Sequence, residues 1–243
     1  MIKCKIISVN TDNLKNDSKK FEEIGRGFGR YQKRREKMVN FINSFKSDSI
    51  EFEIVDAVTG FDIEVLEGNR LLHEDKIYNL DTNHFKEGCP PFYAVNVLSH
   101  MKIWKMDEDT LVLEDDILFE DEKIERLVNI IENFKQIKDA NKVLYLQIST
   151  PWLDNLDDKI FLSSPSEVEG LDLGLGKWPD SDWSGTTAYF ITSDMKKFLL
   201  DNQQSLQGCD GYFSDLRISN LLSYYIPTDR SVMLRCDIET TLI

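Results

Sequence analysis

Residues 110–119 read Thr110-Leu-Val-Leu-Glu-Asp-Asp-Ile-Leu-Phe119. Leu111, Val112 and Leu113 run straight into three consecutive carboxylates, Glu114, Asp115 and Asp116. A short continuous apolar run predicts a strand buried on both faces, the pattern of an α/β sheet. In open α/β sheets, ligands bind outside the carboxyl ends of the strands. Three adjacent acids repel one another unless a cation or hydrogen-bond donors offset them. A hard cation such as Mg²⁺ or Mn²⁺ takes carboxylate oxygens and keeps positions open for phosphates. The plainer alternative is an acidic turn leading into a helix start at Glu120-Asp121-Glu122, where acids suit the first turn.

Working outward, Lys3 to Val9 predicts a first strand, with Ile6, Ile7 and Val9 as its apolar core and Asn10 at its end. Arg30 to Phe45 has helical spacing in Tyr31, Met38, Phe41, Ile42 and Phe45. Its first half carries Arg30, Lys33, Arg34, Arg35 and Lys37. Such a cluster is either a solvated helix face or a diphosphate clamp, since Arg binds phosphate bidentately. Gly25, Gly27 and Gly29 do not form a dinucleotide fingerprint, so a loop is expected there. Glu51 to Val58 predicts a second strand, followed by the turn Asp56-Ala-Val-Thr-Gly60. Residues 61–91 are expected to be irregular, ending in Pro90-Pro91. Phe92 to Met106 predicts an amphipathic helix through Ala94, Val97, Leu98, Met101 and Trp104, with Ser99 and His100 on it. A lone His on a helix is either a packed side chain or a catalytic one.

Beyond the acids, Lys123 to Lys138 predicts a helix and Val143 to Ile148 a strand. Residues 149–183 read as a loop with Trp152, Trp178 and Trp183, which either stack on sugar rings or pack the loop down. Thr186 to Thr192 predicts a strand, and Ser193 caps a helix over Asp194–Asp201. Asp210 follows a turn, and Asp215 to Tyr225 reads as helix. Val232-Met-Leu is a short apolar run in the tail. No repeat or linker divides the chain, so one domain over 1–243 is expected.

The net charge is −14 in 243 residues, and the pI is about 4.7. That charge argues against non-specific binding to nucleic acid or anionic membranes. The four cysteines lack metal-ligand spacing, which argues against a zinc site. With no signal peptide and no apolar run of bilayer length, reduced thiols in a cytoplasmic protein are expected.

Five segments in order resemble glycosyltransferase family 25, which includes lipooligosaccharide and collagen galactosyltransferases. They are Ile7-Ser-Val-Asn10 with the later pair Arg34-Arg35, and Asp56-Ala-Val-Thr-Gly60. Leu98-Ser-His-Met-Lys-Ile-Trp104, Leu-Val-Leu-Glu-Asp-Asp at 111–116 and Gly185-Thr-Thr-Ala-Tyr-Phe-Ile-Thr192 follow. The resemblance implies a GT-A, Rossmann-like fold: a mostly parallel sheet flanked by helices. It implies transfer of a hexose, galactose or glucose, from a UDP-sugar to an acceptor hydroxyl, with inversion, in lipopolysaccharide or other glycan synthesis.

The implied donor site holds Val9, Asn10, Arg34, Arg35, Asp56, Gly60, Ser99 and His100, with Asn10 and Asp56 at the nucleoside end and Arg34 or Arg35 at the phosphates. Asp116 would bind Mn²⁺ or Mg²⁺ with Glu114 in support, and Asp115 would meet metal-bound water or the ribose. No His follows His100, so a later third ligand would be a carboxylate or water. An inverting transfer needs a carboxylate base for the acceptor proton. Asp210 is the first candidate and Asp182 the second. Two other classes fit strand-end carboxylates: a metal-dependent nucleotidyltransferase and a sugar-binding protein without catalysis.

Overall fold

The computed structural model describes residues 1–14, 28–81, 92–118, 120–148, 166–168, 171, 173–175, 186–228, 232 and 234–236. In chain order the elements begin β1 (Ile2–Ser8), α1 (Thr11–Leu14), α2 (Phe28–Ser44), β2 (Ile50–Asp56), β3 (Glu64–Leu66), β4 (Arg70–His73) and β5 (Lys76–Asn79). Then come α3 (Phe92–Trp104), β6 (Thr110–Glu114), β7 (Ile117–Leu118), a 3₁₀ turn (Asp121–Lys123), α4 (Ile124–Lys135), β8 (Lys142–Tyr145) and β9 (Gln147–Ile148). The last are β10 (Ser166–Val168), β11 (Leu173–Leu175), β12 (Ala188–Ile191), α5 (Ser193–Asn202), α6 (Cys209–Ile218), β13 (Ser223–Pro227) and β14 (Leu234–Cys236).

Eight strands form the main sheet in the order β10-β11-β13-β8-β12-β6-β1-β2. β6, β1 and β2 pair in parallel, as do β8 and β13. Only β12 and β11 oppose the common direction, so six of the eight strands run one way. This is the mostly parallel, Rossmann-like α/β architecture expected.

The apolar run of β6 shows why. Leu111 and Leu113 pack on one face of the sheet with Ile2, Cys4 and Ile6 of β1, Met38 of α2, and Ile124, Leu127, Ile131 and Phe134 of α4. Val112 packs on the other face with Ile7, Tyr189 and Ile191 and with α3, α5 and α6. All three β6 side chains are buried. Each contributes roughly 1.5–3 kcal/mol on leaving water.

The order of the first strands sets the site. β1 lies between β2 and β6, so the chain leaves it toward one neighbour and returns later on the other side. The first crossover carries α2 on one face, and the second carries α3 on the opposite face. The carboxyl ends of β1 and β6 therefore border a topological switch point, where such sheets open a crevice.

Five expectations are corrected. Residues 61–81 are not irregular: β3, β4 and β5 form a separate three-stranded meander. The β4–β5 turn uses Glu74 and Asp75, both with positive φ (49° and 60°), as a two-residue hairpin turn requires. Glu-Asp is not a usual pair for that turn, so its signal was hidden. α3 is not amphipathic but buried nearly all round, including Ser99, His100, Ile103 and Trp104. The helix expected over 215–225 ends at Ile218, and residues 223–227 form β13 between β11 and β8. The cap of α5 is Thr192, whose side chain accepts from Met195 N, and Ser193 is the first helical residue. Finally, part of the tail, Leu234–Cys236, is a strand pairing with both β7 and β9.

Two buried lysines brace the loops. Lys196 Nζ donates to Glu108 O and Thr110 Oγ1, each at 2.7 Å, and so ties α5 to the loop entering β6. Lys142 Nζ donates to Phe134 O at 2.8 Å and also to Ile137 O, closing the carboxyl end of α4. Carbonyls at helix ends lack intrahelical partners, and an ammonium supplies donors.

Candidate active site

β6 delivers its acids to the crevice, but not as one cluster. Glu114 follows Val112 on the α3 face. Its Oε1 accepts from Asn96 Nδ2 at 3.0 Å and lies 3.1 Å from His100 Nε2. Burial pushes the Glu114 pKa up, but the His100 bond, Asn96 and the Arg34 charge outweigh it and hold it below the ordinary value. Asp115 turns the other way. Its Oδ2 accepts from Ser8 Oγ at 2.7 Å and its Oδ1 lies 3.4 Å from Arg34 Nη1. Here burial wins over the Arg34 and Ser8 contacts, and the pKa is raised. Asp116 is also buried, with Oδ2 3.8 Å from Arg34 Nη2.

α2 supplies both arginines because Arg34 and Arg35 lie close to the middle of the helix that covers β1. Arg35 Nη1 lies 2.9 Å from Asp56 Oδ1 and donates to Ser8 O at 3.3 Å. Asp56 Oδ2 accepts from Asn10 Nδ2 at 2.8 Å. The ends of β1, β2 and β6 thus meet through alternating acids and guanidinium groups. Val9 is half-buried between Ser8 and Asn10.

The other expected donor residues take different parts. Ser99 Oγ accepts from Val58 N at 2.8 Å and donates to Val95 O at 2.7 Å, so it pins the 56–60 turn onto α3. Gly60 is exposed, and an added Cβ would meet nothing within 4 Å, so local packing does not require glycine there. His100 is fully buried. Its Nε2 meets the crevice acid Glu114.

Asp210 lies in the first turn of α6, which packs against α3. Thr186 Oγ1 donates to its Oδ1 at 2.7 Å. Burial raises its pKa to about 6; the Thr186 bond opposes this and the Glu114 charge adds to it. Thr187 O, next in the chain to Thr186, accepts from Glu114 N at 2.8 Å, so Asp210 stands on the Glu114 side of the crevice. Asp182, Trp152, Trp178 and Trp183 lie outside the described residues.

Among the described residues, no group of three or more His, Cys, Asp or Glu side chains is gathered to hold a metal ion. Asp115 and Asp116 share Arg34, whereas Glu114 is engaged by α3. Two buried carboxylates still fit a hard cation that takes one or two protein oxygens and fills its shell with water and substrate phosphate. They do not fit zinc, which favours nitrogen and sulfur ligands.

The residues that sequence reasoning missed are Tyr189, Thr186 and Ser8. Tyr189 Oη joins His100 Nδ1 and Trp104 Nε1, each at 2.9 Å. Nothing in a single Tyr on a buried strand announces that role. Ser8 is the last residue of β1, where its hydroxyl meets Asp115.

The Rossmann-like sheet sets carboxylates and arginines at its switch point, where such sheets bind ligands. The family profile described as Glycosyltransferase family 25 (LPS biosynthesis protein) matches residues 28–216. The chain belongs to this family and is a glycosyltransferase, moving sugar from a donor to an acceptor. The matched region includes Arg34, Arg35, Asp56, Glu114, Asp115, Asp116 and Asp210, and begins after β1. No curated protein matches the chain. Among the described residues, no helix is long and apolar enough to cross a membrane.

Proposed function

We propose that this enzyme transfers galactose or glucose from a UDP-sugar to an acceptor hydroxyl with inversion. The observation that carries the reading is the switch-point crevice, where Arg34 and Arg35 stand among Asp56, Asp115 and Asp116. The arginines suit a diphosphate, binding it through charge-assisted bonds. Asn10 and Asp56 supply polar groups for the nucleoside.

Asp210 serves as the base. A pKa of about 6 leaves it mostly ionised at neutral pH yet able to take a proton. The acceptor oxygen attacks the anomeric carbon as its proton passes to Asp210. The carbon–oxygen bond to the diphosphate breaks, and its electron pair leaves with UDP.

Mn²⁺ or Mg²⁺ belongs to the same proposal, held by Asp116 with Asp115 beside it. When bound, such an ion neutralises charge on the departing diphosphate. The buried free thiols Cys4 and Cys209 support a cytoplasmic setting, also part of this proposal.

The test is product analysis with UDP-galactose or UDP-glucose and a panel of sugar acceptors. UDP release with an inverted glycosidic product is expected. Pyrophosphate release from a nucleoside triphosphate would contradict the reading and favour nucleotidyl transfer.

A further inference from the structure

The Ser-His helix, the acidic strand and the Ala-Tyr strand meet in one chain of hydrogen bonds. Trp104 Nε1 donates to Tyr189 Oη at 2.9 Å. Tyr189 Oη stands 2.9 Å from His100 Nδ1. His100 Nε2 stands 3.1 Å from Glu114 Oε1. Trp104, Tyr189 and His100 are each at most 1% exposed.

Their chemistry fixes the direction of every bond. An indole N–H only donates, so Tyr189 Oη accepts from Trp104. Burial pushes the Tyr189 pKa far up, so its hydroxyl keeps its proton and gives it to His100 Nδ1. Nδ1 must then carry a lone pair. An ionised carboxylate only accepts, so Nε2 carries the proton and donates to Glu114. The reverse tautomer would set a lone pair against Glu114 and strand the Tyr189 proton in a buried site, where an unmade bond is costly.

We propose that Trp104, Tyr189 and His100 form a one-directional relay that fixes Glu114 Oε1, leaving Oε2 to accept from a donor hydroxyl. Asn96 Nδ2 bonds the same Oε1 at 3.0 Å, and among the described residues nothing bonds Oε2. The Glu114 side chain is 25% exposed, so Oε2 has access to a ligand. His100 is therefore a positioning residue, and Glu114 is the group that touches substrate. The ligand chemistry is a hydroxyl of the sugar nucleotide, on the hexose or on the ribose. This rests on the donor reading above, while the relay itself can be read without substrate.

The chain has three histidines, His73, His84 and His100, so histidine-selective ¹⁵N labelling gives a tractable spectrum. The His100 signal, assigned by its loss in His100→Gln, should show protonated Nε2 and bare Nδ1 at neutral pH. A proton on Nδ1, alone or with Nε2, overturns the relay. In Tyr189→Phe the single tautomer should give way to a mixture; an unchanged tautomer overturns the role of Tyr189.

Calorimetry with UDP-galactose and UDP reads the positioning. His100→Leu should weaken binding about 10-fold, the size of a hydrogen bond to a charged group. His100→Gln, which keeps a donor for Glu114, should restore most of it. Loss for UDP-galactose alone assigns the hexose hydroxyl, and loss for both assigns the ribose. Unchanged affinity in a folded His100→Leu overturns the proposal, and Tyr189→Phe serves this arm if that variant does not fold. Wild-type protein that shows the Nε2 proton but binds neither ligand supports the relay and counts against the UDP reading.

Discussion

Replacing Asp210 by Asn should separate its effects on stability and on rate. The Asp210 pKa of about 6 in the folded protein lies above an ordinary Asp value near 3.9. The sign follows. A raised carboxyl pKa favours folding while the group is protonated, below about pH 4, and that contribution is lost as pH rises through about 6. The gap between those two values corresponds to about 3 kcal/mol. Partial exposure of Asp210 reduces this to roughly 1–3 kcal/mol. The asparagine would keep an oxygen for the Thr186 hydroxyl but never ionise. Measured by urea unfolding, the variant should gain roughly 1–3 kcal/mol on wild type between pH 4 and pH 7.5. Its transfer rate should fall by about 10²-fold or more. UDP binding should stay close to wild type, because the base faces the acceptor. A stability difference independent of pH would refute the buried-carboxyl argument. Undiminished transfer would refute the base, and loss of Mn²⁺-dependent UDP binding would make Asp210 a ligand-site residue instead.

Thr186→Val removes the bond that lowers the Asp210 pKa, so the acid limb of the pH–rate profile should move to higher pH; an unmoved limb counts against Asp210 as the base. EDTA should abolish transfer and Mn²⁺ or Mg²⁺ should restore it, and full activity in chelator would leave the arginines alone to offset the diphosphate. Lys196→Met removes the ammonium that donates to the Glu108 carbonyl and the Thr110 hydroxyl, leaving them only their bond to each other, so urea unfolding at neutral pH should show a loss of about 1–3 kcal/mol. No loss would mean that water or repacking satisfies those acceptors.

Much of this fold was legible because β6 is buried on both faces. Its apolar run and the acids that end it place the strand and the crevice together. Arg34 and Arg35 were legible as a departure from the acidic average. The separation of Glu114 from Asp115 was not, although side chains alternate along a strand. Three adjacent acids look like one cluster until α3 and α2 are known to cover opposite faces. α3 looked amphipathic because Ser99, His100 and Asn96 are polar, yet all three make internal bonds. Asp210 was placed by its order along the chain, but its raised pKa comes from α6 packing against α3. β13 was misread as helix because the stop was overlooked: Asn220, just past the Ser219 cap, takes φ 55° and ends α6.

The central claim is that the β1–β6 crevice binds a UDP-sugar through its carboxylates and arginines with a hard cation. The most direct measurement is calorimetry of UDP-galactose and UDP-glucose with and without Mn²⁺, on wild type and Asp116→Asn. Wild type should bind at least one of them, tightly only with Mn²⁺, and the folded variant should lose that dependence along with most of the affinity. Equal binding in EDTA, or by Asp116→Asn with Mn²⁺, would contradict the claim.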